Sequence, residues 1–306
     1  MTEIPWAIRP HAGREPRIDD PVQRIGYRLS LLMSAGYYGP QTCDWQLKAN
    51  QVVLNEATAD YLYTEFSPTQ VSYQAGSRPV LEKLAGRIAS GGQSDRERVL
   101  GILDYVYRGY RHDHADLFPG QKLAVLNAQE EEIPKLGHVS CECHSRLTIC
   151  LCNIIGLPAR YVSLFGWVDP DRDFVVRGGH TMTEVLLEGK WSVFDSDWGF
   201  FCQLDDGRLA SIWELVCDPS LVDRQRDWVY SRFGKSRKWH GEFQRCFLSP
   251  YSVRAISNYS VNDWLRFDWN WIFASGDANE PHLRKLLEAR DRLKDELVKE
   301  YRAARG

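Results

Sequence analysis

The segment between Ser140 and Gly156 constrains the fold of this chain more than any other. Ser140 is a favourable helix N-cap, apolar and helix-forming residues follow it, and Gly156 is a residue type that ends helices. Strand-like runs come next at 160–167, 179–187 and 191–195. Helices that precede a run of antiparallel strands predict an α+β fold.

Size and composition exclude several classes of protein. With 306 residues and 43% hydrophobic content, the chain can form one large domain or a core domain with extensions. A formal net charge of -3 gives no reason to expect binding to nucleic acid or to a membrane. The N-terminus lacks the basic start and apolar run of a secretion signal, and eight cysteines are too few for a disulfide-rich protein. We therefore expect a reducing, cytoplasmic location.

Composition and periodicity divide the chain into three parts. Residues 1–75 are an N-terminal extension with strands, including a strand-like pattern over 45–66. Residues 76–205 form the core, which starts with helices near 80–88 and from Ser94 or Asp95 to about Tyr107. Residues 206–306 are a C-terminal extension. We expect a short helix within 211–222, and an amphipathic helix over 281–304 that packs on the body or on a second copy, as in a homodimer.

The predicted helix 140–156 places Cys141 in its first turn. There the helix dipole and the N–H groups of that turn favour an anion, so a thiolate is stabilised and a developing oxyanion can be held. The alternative is that Cys141 is a small buried residue, as most cysteines are. Cys143, Cys150 and Cys152 fit core contacts better than metal ligands, because residues two apart on a helix point away from each other. No metal site and no cofactor are predicted.

Two strands downstream carry an imidazole and two carboxyl groups. If Glu188 and Gly189 form a two-residue hairpin loop, His180 lies opposite Asp197, and Asp195 is its diagonal neighbour on the same face. Either carboxylate could then orient the imidazole of His180. Register alone slightly favours Asp197 and leaves both open.

Four sequence features follow one another along the chain: Cys141, the sequence Gly-Leu-Pro-Ala-Arg-Tyr-Val that begins fifteen residues later, His180 with Glu184, and Trp191-x-x-x-Asp195. Together they resemble the transglutaminase-like superfamily of papain-like thiol enzymes. The resemblance covers about residues 80–205. It implies that Cys141 is the catalytic nucleophile, His180 the general base and Asp195 the orienting acid.

Two positions depart from the family pattern. Val139 stands where a glycine is frequent, and Met182 replaces an aromatic residue. Both affect the pocket more than the triad. The family also has a side-chain oxyanion donor upstream, for which Tyr105, Tyr107 and Tyr110 are candidates.

The resemblance implies a cysteine enzyme that acts on an amide, peptide or thioester carbonyl through a thioacyl intermediate. Hydrolysis is the first expectation and acyl transfer to an amine the second, with a small molecule, a peptide or an acyl carrier as substrate. The alternative from another class is a binding or scaffold protein that has lost activity. Two polar loops, 112–116 and 169–173, and the acidic stretch 130–132 are expected to be solvated rather than functional.

Overall fold

The computed structural model describes residues 52–92, 94–110, 128–137, 139–165, 167–169, 175–177, 180–224, 248 and 252–259. It also describes six single positions near the C-terminus, 288, 292, 295, 296, 299 and 303, which are helical and exposed. They belong to the predicted helix 281–304, the rest of which lies outside the described residues. The loop 112–116 and residues 170–173 of the second loop lie outside them as well.

The described elements mix helices with short strands. The helices are α1 (Ala59–Thr64), α2 (Pro79–Ala89), α3 (Asp95–Gly109), a 3-10 turn (Ile133–Lys135), α4 (Cys141–Ile154), α5 (Ile212–Cys217) and α6 (Ser220–Arg224). The strands are β1 (Val52–Val53), β2 (Ala159–Phe165), β3 (Trp167–Asp169), β4 (Val175–Arg177), β5 (His180–Leu187), β6 (Lys190–Phe194) and β7 (Val253–Asn258).

Helix α4 packs on an antiparallel sheet, which confirms the α+β class. The sheet has the order β1-β7-β2-β5-β6, and every described neighbouring pair in it is antiparallel. Strands β3 and β4 form a separate two-stranded sheet. Core residues lie on both faces of the large sheet. Successive residues of a strand point to opposite faces, and the neighbours Tyr161 and Val162 of β2 belong to different hydrophobic clusters. The domain boundaries proposed at 75 and 205 stay a prediction.

Local capping explains where the helices near the site begin and end. Ser94 forms a capping box with Glu97 at the start of α3. Ser140 caps α4 by accepting a hydrogen bond from the Cys143 N–H, and Gly156 follows the helix with a φ of 85°. Cys141 is therefore the first residue of α4, as predicted.

Two other expectations are wrong. Residues 61–66, predicted as strand, lie in or directly after α1, where Leu62 is fully buried and Phe66 nearly so. The stretch 130–132 was expected to be solvated, but Glu130 is completely buried. Its carboxylate pairs with Arg78 at 3.2 Å and with Arg146 at 3.4 Å, which offsets the cost of burying its charge.

A second buried network fixes the strands that carry the site. Glu184 and Arg160 are cross-strand partners on β5 and β2, and the Arg160 guanidinium binds the Glu184 carboxylate at 2.7 and 2.9 Å. The guanidinium also lies over the rings of Trp191 and Tyr63, 4.1 and 4.6 Å from their centroids. Three residues of the family-like motifs, Arg160, Glu184 and Trp191, thus form one structural unit.

Candidate active site

Cys141 lies at the N-terminus of α4 and is partly exposed. Its thiol hydrogen-bonds to the His180 ring, which β5 presents at its first residue. Helix α4 packs along β5, where the Thr183 hydroxyl donates to the Ser145 carbonyl at 3.3 Å. This packing holds the thiol and the imidazole within hydrogen-bond reach, the distance that proton transfer requires.

Asp195 engages the other side of the imidazole. Its Oδ2 lies 3.0 Å from Nε2 of His180, and both side chains are buried. Its Oδ1 accepts the backbone N–H groups of Asp197 at 3.0 Å and Trp198 at 2.9 Å. A carboxylate that accepts this many hydrogen bonds is fixed in place. The structure therefore gathers Cys141, His180 and Asp195, the three predicted site residues, in one cluster.

The electrostatics of this cluster favour a charged imidazole. Burial alone would lower the pKa of His180, but the negative charges of Asp195 and Cys141 and its hydrogen bonds to both raise that pKa well above 6.5. A protonated His180 beside Cys141 stabilises the thiolate, which is the nucleophilic form of cysteine.

The hairpin register is the one that the sequence predicts. Leu187 pairs with Lys190 and Thr183 with Phe194, so His180 lies across from Asp197 in the continued register. The turn residues Glu188 and Gly189 both have positive φ, 52° and 75°, as a two-residue hairpin turn requires. The hydrogen bond nevertheless goes to the diagonal neighbour Asp195, and the nearest Asp197 oxygen lies 4.0 Å from Nδ1 of His180.

Aromatic side chains lie near the charged cluster. Trp198 stacks on the His180 ring with centroids 4.8 Å apart and an angle of 26° between the planes. Of the three tyrosines considered as oxyanion donors, Tyr107 packs beside the turn at Gly199, and its pKa is raised by burial and also by the charge of Asp197. Tyr105 and Tyr110 instead pair through their hydroxyls at 3.3 Å. Tyr107 therefore interacts with a carboxylate of the site.

One group of described side chains has donor atoms close enough together to hold a metal ion. These are His180, Asp195 and Asp197, whose ligand atoms lie within 4.8 Å of one another. His180 and Asp195 already bond to each other, and Asp197 pairs with His144. The cysteines considered earlier are core contacts, as predicted, since Cys143, Cys150 and Cys152 are completely buried. Burial raises the pKa of Cys150 and Cys152, which keeps both as thiols.

Two residues of the site were missed by the sequence analysis. His144 lies one turn after Cys141 on α4, and that spacing could have placed it on the same helix face. Trp198 carries no periodic signal, because it follows the end of β6 in an irregular turn.

The segment that carries this geometry matches a known protein family. Residues 82–196 match the model of the transglutaminase-like superfamily. The matched segment contains Cys141, His180 and Asp195. Members of this superfamily are typically cysteine-dependent enzymes.

A comparison with solved structures found one similar protein. A candidate cysteine protease from Cytophaga hutchinsonii is 20% identical, with 41% of this chain and 43% of that chain covered and a TM-score of 0.28. The chain thus spans less than half the length of that protein. No curated protein matches the sequence.

Within the described residues, none of the helices has the length and hydropathy needed to span a bilayer.

Proposed function

We propose that this transglutaminase-like enzyme hydrolyses an amide or peptide bond, with Cys141 as nucleophile, His180 as general base and Asp195 as orienting acid. The observation that carries the proposal is the hydrogen-bonded series in which the Cys141 thiol contacts the His180 ring and Asp195 binds its Nε2 at 3.0 Å. This arrangement of a thiol, an imidazole and a carboxylate is the one that nucleophilic acyl chemistry uses.

The reaction starts with attack of the Cys141 thiolate on the acyl carbon. The tetrahedral intermediate collapses when the carbon–nitrogen bond breaks, and the His180 imidazolium gives its proton to the departing amine. Water then attacks the thioester while His180 takes its proton. Breakage of the carbon–sulfur bond releases the carboxylic acid and restores the thiolate.

The start of α4 supplies electrostatic support for both steps. Cys141 is the first residue of the helix, and the N–H groups of a first helical turn have no acceptor within the helix. These groups and the helix dipole favour negative charge on the sulfur and on the oxygen of the tetrahedral intermediate. Tyr107 is our candidate for an additional side-chain donor because of its place beside Asp197.

Partial exposure of Cys141 favours hydrolysis over transfer, because water can reach the thioester. The second candidate is acyl transfer to an amine, as in amide formation. It is favoured by the aromatic Trp198, which stacks on His180 beside the thiol and could help to exclude water.

The test uses p-nitrophenyl acetate as an activated acyl donor, because the natural substrate is unidentified. We expect intact-protein mass spectrometry to show one acetyl group on Cys141, none in Cys141→Ser and slow formation in His180→Gln. Decay of the adduct in water alone supports hydrolysis, and faster decay with methylamine, yielding N-methylacetamide, supports transfer.

Cys217→Ser is the matched control, because Cys217 is an exposed thiol away from the cluster, and this variant should be acylated like the wild type. Equal labelling of Cys141 and Cys217 by iodoacetamide at neutral pH would contradict the proposal. It would favour the alternative of a binding or scaffold protein.

We also propose a reducing compartment such as the cytoplasm. The thiol of Cys141 must stay reduced to react, and the six described cysteines all carry thiols rather than disulfides. Recovery of the tagged protein in a secreted fraction would contradict this location.

A further inference from the structure

A second imidazole–carboxylate pair lies beside the proposed triad. Nδ1 of His144, on α4, is 3.3 Å from Oδ1 of Asp197, and each of these side chains is only 1% exposed. The ring of Tyr110 covers His144 at a centroid distance of 6.2 Å. The reaction sequence proposed above uses neither member of this pair.

Asp197 lies between two histidines. While its Oδ1 faces His144, its Oδ2 is 4.0 Å from Nδ1 of His180. Its backbone N–H also donates to Asp195, the carboxylate that holds Nε2 of the same ring. One short turn therefore places a carboxylate at each nitrogen of the His180 imidazole.

Because Asp197 is buried, its negative charge needs a compensating group nearby. A carboxylate removed from water is stable only when a cation or hydrogen-bond donors compensate it. In the part of the chain that the structure describes, the groups that face it are His144 from α4, His180 from β5 and Tyr107 from α3. His180 in turn faces Asp195 and Cys141. Among the described residues, the two imidazoles are the potential cations within 4.0 Å of the Asp197 carboxylate, so they compete for one negative charge.

We propose that Asp197 is a second acid of the site, a positioning residue shared by His180 and His144. A charged His144 partly neutralises the Asp197 carboxylate, and this weakens the stabilisation that Asp197 gives to the His180 imidazolium. Removal of that cation leaves the full charge of Asp197 to stabilise the His180 imidazolium.

The consequence for catalysis rests on the proposed function. In the thioacyl intermediate the sulfur of Cys141 carries no negative charge, so it no longer stabilises the imidazolium. Asp197 is then the acid that faces the Nδ1 edge of His180 as the ring takes a proton from the attacking water. Asp195 continues to hold Nε2 at the same time.

The test measures the pKa of His180 directly, by NMR of histidine-labelled protein in a Cys141→Ser background that has no thiolate. The His180 resonance is assigned by its loss in His180→Gln. We expect Asp197→Asn to lower the pKa of His180 by about 1 pH unit, since a carboxylate 4–6 Å away raises an imidazole pKa by about that much or more. We expect His144→Gln to raise it.

Opposite shifts are the signature of a shared charge, because general loosening of the site would move both variants in the same direction. An unchanged pKa of His180 in either variant, or shifts of the same sign in both, overturns the proposal. Asp205→Asn is the matched control, since it removes one carboxylate that is 83% exposed, and it should leave the pKa unchanged. If Asp197→Asn does not fold, Asp197→Ser removes the same charge.

Failure of this inference differs from failure of the proposed function. The NMR experiment needs neither the thiol nor a substrate, whereas acetylation of Cys141 in the wild type reports on the thiol chemistry alone. An acetylated Cys141 with an unchanged His180 pKa in Asp197→Asn would overturn only the role of Asp197. Opposite pKa shifts without acetylation would support that role and contradict the nucleophile.

Discussion

Two buried clusters of charged side chains share strand β5 and differ in how well their groups are paired. At Glu184, one carboxylate oxygen binds Arg160 and the other accepts hydrogen bonds from Tyr63 at 2.8 Å and from the Ile212 N–H at 2.9 Å. At His180, four residues away, two carboxylates flank one imidazole, and one of them lies 4.0 Å off. The first cluster is saturated with short contacts, whereas the second retains a looser contact.

The difference separates structure from chemistry. A saturated buried ion pair holds strands in register, because any displacement leaves a charge without its partner. A reactive site needs groups that can exchange a proton and change partners during the reaction. Substitutions in the two clusters should therefore affect different properties, stability in one and rate in the other.

The largest expected effect is on the rate and comes from the reactive cluster. Cys141→Ser should reduce turnover by at least about 10⁴-fold, because the nucleophile is lost and little else replaces it. Since the side chain is partly exposed and similar in size, the melting temperature should change little. Acylation kinetics and a thermal melt measure the two properties. A residual rate close to that of the wild type would show that another group is the nucleophile.

The next effect is on stability and comes from the saturated cluster. Glu184→Gln should lower the free energy of unfolding by about 3 kcal/mol or more, because the Arg160 charge stays buried without its counter-charge. Asp104→Asn is the control, since it removes a pair with Arg108 in which both side chains are largely exposed, and it should cost less than about 1 kcal/mol. Urea unfolding measures both. Equal losses would mean that the Glu184 pair is no more important than a surface pair.

A smaller effect concerns pH and isolates the His180–Asp195 pair. In Cys141→Ser the thiol beside His180 is absent, so a His180 pKa raised by Asp195 makes the folded state bind more protons at this site than the unfolded chain above about pH 6.5. This stabilisation is complete below the unfolded pKa and is lost as pH rises through the folded one, by about 1.4 kcal/mol for each unit of the shift. Urea unfolding between pH 6 and 10 should show the decline.

Adding Asp195→Asn to Cys141→Ser removes the negative charge at Nε2 of His180. The decline with pH should then shrink or vanish. A decline that persists unchanged would assign the extra proton to another group.

The smallest effect tests the helix start. Ser140→Ala removes the hydroxyl that accepts the Cys143 N–H at 3.2 Å and should cost about 1 kcal/mol in unfolding free energy. The same change should slow alkylation of Cys141, because a frayed first turn no longer stabilises the thiolate. Alkylation by iodoacetamide at several pH values tests this. Faster alkylation than in the wild type would contradict it.

The sequence was informative where a local rule decides the structure. Ser140 and Gly156 predicted the ends of α4 because capping depends on residue type and backbone angle at single positions. The loop of Glu188 and Gly189 predicted the register of β5 and β6 because a two-residue turn permits one pairing.

The sequence was uninformative where the environment of a residue depends on partners that the chain brings together only in the folded structure. The choice between Asp195 and Asp197 depends on which carboxylate the turn 195–198 directs at Nε2, and residues with a period of two share one face. Glu130 appeared solvated because its partners, Arg78 and Arg146, lie 52 and 16 residues away in sequence.

Residues 61–66 were predicted as strand because tyrosines have high β propensity. In the structure the segment 59–64 is a helix that buries Leu62 against the sheet side carrying Val162. The backbone carbonyl of Leu62 also accepts from Arg160, so a tertiary contact reinforces the helical choice. Intrinsic β propensity depends only on residue type, whereas the conformation of this segment depends on its packing against the sheet.

The tight turn at Glu188 and Gly189 sets the register of β5 and β6 and therefore the position of Asp195 relative to His180. One residue inserted there, with a two-residue turn retained, would shift the register by one residue, so that Asp195 would no longer lie opposite Met182 and both acids would exchange faces. The pairing of His180 with Asp195 thus depends on the number of residues in a turn that takes no part in the chemistry. Indels at this loop should be rarer than its solvent-facing location suggests.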